Sequence, residues 1–264
     1  MNDPVILLAH RQDIDTPLRA LHATIVGTRD AVHRACSEHR RGAVWIAPRA
    51  DLFRLLLGRP STPTRDQRLL VLEGLREQQY AFLRTMFRVI VPMDKEVRRL
   101  PREELLEVVA MPNRDELFVA GAVDEDDGVV TLYRGNLEPL VVPLDWFKPS
   151  GTGVRPDPAR FEVTDFGHTV RFGDYEASTH AILYAHDPKY RTRAKARLLE
   201  QDKSFGGALR RLRILKGLSL SDFPGISDKS VARIEKGDVE KPHAGTMAKL
   251  AKRLGVKPEE ISTY

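Results

Sequence analysis

The stretch Ile226-Ser-Asp-Lys-Ser-Val-Ala-Arg-Ile-Glu-Lys-Gly237 constrains this chain more than any other. It predicts a short capped helix. Ser227 can accept an N–H from the first turn, Val231 and Ile234 share one face with Ile226 just before the cap, and Gly237 supplies a left-handed stop. The opposite face carries Lys229, Ser230, Arg233 and Lys236, whose donors suit base edges and phosphates. The flanking segments have the same character. Phe205 to Gly217 is amphipathic, with Leu209, Leu212 and Leu215 as its apolar stripe. Ala244 to Gly255 carries Met247, Leu250, Ala251 and Leu254, and Pro258-Glu-Glu-Ile makes a last turn. Short helices with glycine stops and one basic face predict a compact helix-turn-helix module.

These residues resemble the Cro/repressor-type (XRE-like) helix-turn-helix family. The match rests on Leu212 and Arg213, Gly217-Leu218-Ser219, Gly225-Ile226-Ser227, Val231, Ile234-Glu235-Lys236-Gly237, Leu250-Ala251 and Leu254-Gly255-Val256. The resemblance implies that the third helix enters the major groove and that Glu235 pairs with Arg213, making both structural. One segment departs from the pattern. Ser219 to Gly225 is shorter than the family's usual second helix, Pro224 ends it early, and Leu220 stands where many relatives carry a DNA-contacting glutamine. A helical dimerisation or docking domain without DNA contact is the plainer alternative.

Charge supports a polyanion partner for this part alone. From Lys189 onward there are 18 Lys and Arg against 9 Asp and Glu, which leaves 24 against 28 for the rest. With 264 residues, the chain has the length for two or three domains. No apolar run is long enough to span a membrane, and the N-terminus lacks the pattern of a signal peptide. The single cysteine, Cys36, excludes an internal disulfide and fits a reducing cytosol.

Residues 1–112 are expected to be mostly helical, with helices starting at Asp15-Thr-Pro17, over Ala31 to His39, Arg49 to Leu57, Thr64 to Val89 and Pro101 to Ala110. Ala43 to Ala47 reads as a short buried strand, and Gly58 to Pro63 as a turn or linker. His10, His22, His33 and His39 match no metal-ligand spacing. Cys36 beside His33 and His39 lacks the third, orienting group of a nucleophile site. Residues 113–186 change to β texture, with strands over Leu117–Val123, Val129–Arg134, Leu140–Leu144, Arg160–Thr164 and His168–Phe172. The acidic run Asp124 to Asp127 lacks the spaced ligands of a calcium loop and reads as a solvated turn. Val142-Pro-Leu-Asp-Trp-Phe147, Arg160-Phe-Glu-Val163 and the Gly167 to Asp174 motif resemble small bacterial β-rich domains of unassigned function that occur near helix-turn-helix and toxin–antitoxin genes. Trp146 and Phe147 read as core anchors.

The fold class expected is therefore α+β: a helical domain at 1–112 for dimerisation, sensing or partner binding, a small antiparallel β domain at 113–186, a basic linker helix at 187–203 and an all-α helix-turn-helix domain at 204–264. Asp228, Lys229, Ser230 and Arg233 are the candidate base readers, with Asp228 either accepting from cytosine N4 or simply favouring the helix start. Ser227, Lys236, Lys241, His243 and Thr246 are the candidate phosphate contacts. The expected partner is double-stranded DNA bound by a homodimer, with a protein partner or small-molecule effector for the front part. No cofactor, metal, membrane or catalytic role is expected, since no nucleotide loop, metal spacing or nucleophile motif is present. The leading expectation is a cytoplasmic bacterial repressor or autoregulator. An antitoxin-like protein that autoregulates its operon is the second, and an enzyme tethered to DNA the third.

Overall fold

The apolar run Val5–Leu8 is a strand (β1), and it organises the first part of the chain. The structure is a computed structural model that describes residues 3–39, 42–56, 66–91, 96–149, 151 and 153–264. It divides into two units, Met1–Asp187 and Pro188–Tyr264.

In the first unit, β1 pairs in parallel with β2 (Thr24–Val26) and with β3 (Ala43–Ala47), and β4 (Gln67–Val71) and β5 (Val89–Val91) continue the sheet. The strand order β2-β1-β3-β4-β5 is that of a doubly wound α/β sheet. The connections are α1 (Thr16–Arg19), α2 (Arg29–Glu38), a 3-10 turn at Ala50–Leu56 and α3 (Glu77–Arg84). One face of the sheet presents Ile6, Leu8, Trp45, Leu69, Val71 and Ile90 to a core completed by α2, the 3-10 turn and α3, with Cys36 buried inside it. The alternate residues Leu7, Ile46, Leu70 and Val91 are buried on the other face. A parallel sheet needs both faces covered.

This corrects the helical reading of residues 1–112. Strands buried on both faces are continuous apolar runs, which periodicity cannot distinguish from pieces of helix. The proposed long helix from Thr64 to Val89 is β4, α3 and β5 in the described residues, with Leu69 in β4 and Phe87 in the turn between α3 and β5. Thr64 itself and the Gly58 to Pro63 turn lie outside the described residues. The start at Asp15 is real, because its carboxylate accepts from Leu18 N at 3.2 Å and Pro17 sits in the first turn. That helix ends at Arg19, His22 takes a left-handed φ of 48°, and Ile25 and Val26 pass into β2. The buried strand at Ala43 to Ala47 and the helix after Pro101 form as expected.

The rest of the first unit is antiparallel. β6 (Arg98–Arg99), β7 (Phe118–Asp124), β8 (Val129–Arg134) and β9 (Pro139–Pro143) make one sheet; β10 (Phe161–Thr164), β11 (Thr169–Phe172) and β12 (Tyr175–Ser178) make another. Phe147 packs on Phe172 with ring centroids 4.7 Å apart, and Phe161 stands 5.3 Å from the same ring, so Phe147 is a core anchor. Trp146 is half-buried and meets Phe147 edge-on. The acidic turn closes on itself, with Asp127 N donating to Asp124 Oδ1 at 3.0 Å. α4 (Arg102–Ala110) buries Leu105, Leu106, Val108 and Val109 and lies against α1 and β7; α5 (Thr179–His186) follows β12.

A charge cluster around two buried arginines fastens the parallel sheet to the antiparallel part. Arg68 of β4 is almost inaccessible, pairs with Asp3, and reaches Glu138 of the β8–β9 turn at 3.5 Å. Arg114 donates to Val109 O at 3.0 Å and to Asp3 O. Burial pushes the Arg114 guanidinium below its ordinary value, and Asp3 offsets part of that shift. Two buried cations thus close on one residue, Arg68 on the Asp3 carboxylate and Arg114 on the Asp3 backbone carbonyl. Asp3→Ala is expected to destabilise the first unit by roughly 2 kcal/mol, below the full cost of breaking a buried pair because Asp3 is partly exposed and Glu138 remains. A urea titration of the full chain followed by tryptophan fluorescence measures it, since Trp45 and Trp146 both lie in the first unit.

Candidate nucleic-acid interface

The second unit consists of α6 (Pro188–Gln201), α7 (Phe205–Leu215), a 3-10 turn at Leu220–Asp222, α8 (Asp228–Glu235), α9 (Ala244–Leu254) and a final 3-10 turn at Pro258–Thr263. Its core is Leu209, Leu212, Phe223, Val231, Ile234, Leu250, Ala251, Leu254 and Ile261. Met247 only half-enters the stripe expected of α9. Leu215, placed in the α7 stripe by its spacing, is 71% exposed. Steps of three residues lag behind the 3.6-residue turn, so the third leucine of such a series rotates towards solvent.

The sequence codes for α8 locally. Ser227 Oγ accepts from Ser230 N at 3.2 Å, Asp228 favours the positive end of the helix, and Gly237 takes φ 83° just past its end. Val231 and Ile234 go to the core, which turns Asp228, Lys229, Ser230, Arg233 and Lys236 outward.

Contacts from α7 and α9 hold this helix and the turn before it in place. Arg213 of α7 grips Glu235 with both arms, Nε to Oε1 at 2.6 Å and Nη2 to Oε2 at 2.9 Å, while Nη1 donates to Leu218 O at 2.8 Å. Both side chains are largely buried, and the bond to Glu235 raises the Arg213 guanidinium above its ordinary value. This is the pairing that the family resemblance implies. From α9, Lys249 Nζ donates to Gly225 O at 3.1 Å and Arg253 Nε to Asp222 O at 2.6 Å, which ties down the turn that leads into α8. Finally, a Cβ added to Gly206 would lie 2.3 Å from Ile234 O, so α7 approaches the end of α8 where only glycine fits. The sequence reading did not single out Lys249, Arg253, Gly206 or Phe223. The charge pattern marks two of them only as basic residues.

The second helix is reduced to a single 3-10 turn, as Pro224 implies, with Ser219 N and Oγ both bound to Asp222 Oδ2, at 2.6 and 2.7 Å. Those bonds hold the Asp222 carboxyl below the usual carboxylate range. Leu220 packs partly buried against the core, so this position offers no polar contact to DNA.

The structure brings five of the candidate site residues together. Ser227, Ser230, Arg233, His243 and Thr246 line one groove of about 360 Å³ between the start of α8 and the start of α9. The Ser227 and Ser230 hydroxyls are 2.8 Å apart. Asp228, Lys229, Lys236 and Lys241 are exposed outside that lining, and Asp228 Oδ1 accepts from Lys229 N at 2.9 Å. The surface combines guanidinium, ammonium, imidazole and hydroxyl groups on a unit with twice as many basic as acidic residues, a composition suited to phosphates and base edges. In the first unit, His10, His22, His33 and His39 do not converge: among the described residues no group of three His, Cys, Asp or Glu could hold a metal ion. No helix among the described residues is long and apolar enough to cross a membrane.

Glu235→Ala leaves the largely buried Arg213 without its carboxylate and is expected to destabilise the second unit by about 3 kcal/mol. Gly206→Ala is expected to cost a comparable amount by pushing α7 off α8. Thermal melts of both variants by circular dichroism test this.

Residues 209–261 match the family model described as helix-turn-helix. No curated protein and no solved structure matches the chain. The matched segment contains α8, the Arg213–Glu235 lock and the groove between α8 and α9. Residues 209–261 are thus a DNA-binding helix-turn-helix domain of the Cro/repressor type, and the chain that carries it is a DNA-binding transcriptional regulator.

Proposed function

We propose that this protein is a sequence-specific repressor that binds its operator as a homodimer and controls its own or neighbouring genes. The observation that carries this reading is the outward face of α8, where Lys229, Ser230 and Arg233 stand exposed on a helix whose other face is locked into the core. In a major groove the first turns of such a helix do the reading. Lys229 and Ser230 then meet base edges, Arg233 a guanine or a phosphate, and Asp228 sits at the helix start. Ser227, Lys236, Lys241, His243 and Thr246 surround the phosphate strand. One module has a small footprint, and two on an inverted repeat supply the affinity that specific regulation needs. The first unit serves dimerisation and the sensing of an effector.

A binding titration on the gene's own upstream DNA against random DNA, at two salt concentrations, tests the reading. A preference of roughly a thousandfold for the upstream fragment is expected. Weak, salt-sensitive binding to both would overturn it and favour the antitoxin-like alternative, in which the front of the chain holds a partner protein. Lys229→Ala and Ser230→Ala are expected to change sequence preference, whereas Lys241→Ala weakens binding to all sequences and flattens the salt dependence by about one unit of slope. Equal losses on every sequence from all three would count against this placement of α8.

A further inference from the structure

We propose that the first unit binds a phosphate group, free or carried by a small molecule, in the groove between the end of β4 and the start of α4. The groove has a volume of about 350 Å³ and is lined by Arg98, Arg99 and Arg102 together with Leu72, Leu105 and their apolar neighbours. Among the described residues, three of the lining side chains are cationic and none is acidic.

Two of the three guanidiniums are held in place from behind. Arg99 Nη1 donates to Val71 O at 3.0 Å, the last carbonyl of β4, and Arg102 Nη2 pairs with Asp15 Oδ2 at 2.7 Å. Arg98 is exposed on its two-residue strand. Anchored forks present a preformed donor array, which suits the tetrahedral, doubly charged phosphate better than a single carboxylate. Leu72 follows β4 directly, so the groove lies outside the carboxyl end of a parallel strand. Arg102 is also the first residue of α4, so the positive end of that helix opens on the same space. Leu72 and Leu105 form an apolar wall beside the cations.

The test is calorimetric titration of the full chain, without DNA, with inorganic phosphate and separately with phenyl phosphate, at constant ionic strength. Saturable binding at one site is expected, weakened about tenfold by Arg98→Ala and by Arg102→Ala, and unchanged by Arg233→Ala on the DNA-binding unit. Arg98 is exposed, so its variant keeps the fold; circular dichroism confirms this, and that variant decides the matter if Arg102→Ala unfolds. Tighter binding of phenyl phosphate assigns the site to an ester that uses the apolar wall; equal binding assigns it to free phosphate. Absence of saturable binding by either probe, or affinity untouched by Arg98→Ala, overturns the proposal. Because no DNA is present, the result is independent of the operator titration.

Discussion

Glu235 ends α8 with its carboxylate largely out of water, and the fork of Arg213 makes that burial tolerable by matching both oxygens. The consequence is geometric. α7 and α8 are joined by a bidentate contact at one point and by the absence of a side chain at Gly206 at another, so the angle between them has little freedom. Lys249 and Arg253 fix the turn from the opposite side. The exposed residues of α8 therefore project from a rigid base.

The first unit depends on a different constraint. Its parallel sheet must be covered on both faces, and α1, which connects two of its strands, packs on α4, which in turn lies against β7 of the antiparallel part. Asp3, Arg68, Arg114 and Glu138 add an electrostatic tie between the two regions. The carboxyl edge of the sheet, where Arg99 and Arg102 are anchored, is the part of this unit with the character of a ligand surface.

Legibility differed between the units for a physical reason. In the second unit each helix carries its own cap, apolar stripe and glycine stop, so Ser227, Val231, Ile234 and Gly237 could be placed from their neighbours alone. The middle strands were readable for a similar reason: turn residues separate them, and alternation marks strands such as β8, whose burial switches at every residue. In residues 1–112 the informative contacts are remote. Leu69 looks like part of a helical stripe until β3 and β5 are set beside it. Local capping at Asp15 correctly starts a helix but carries no information that it stops at Arg19.

By itself, the sequence determined the helix-turn-helix module and the exposed face of α8, because caps and period are local properties of the chain, while the Arg213–Glu235 pair was what the family resemblance implied. Tertiary structure alone decided that the N-terminal apolar runs are parallel strands, that Leu220 turns to the core and Leu215 to solvent, that Gly206 is a contact point, and that Arg98, Arg99 and Arg102 face one groove with Leu72. Each of these depends on which surfaces meet across long separations in sequence, and neither composition nor period encodes that meeting.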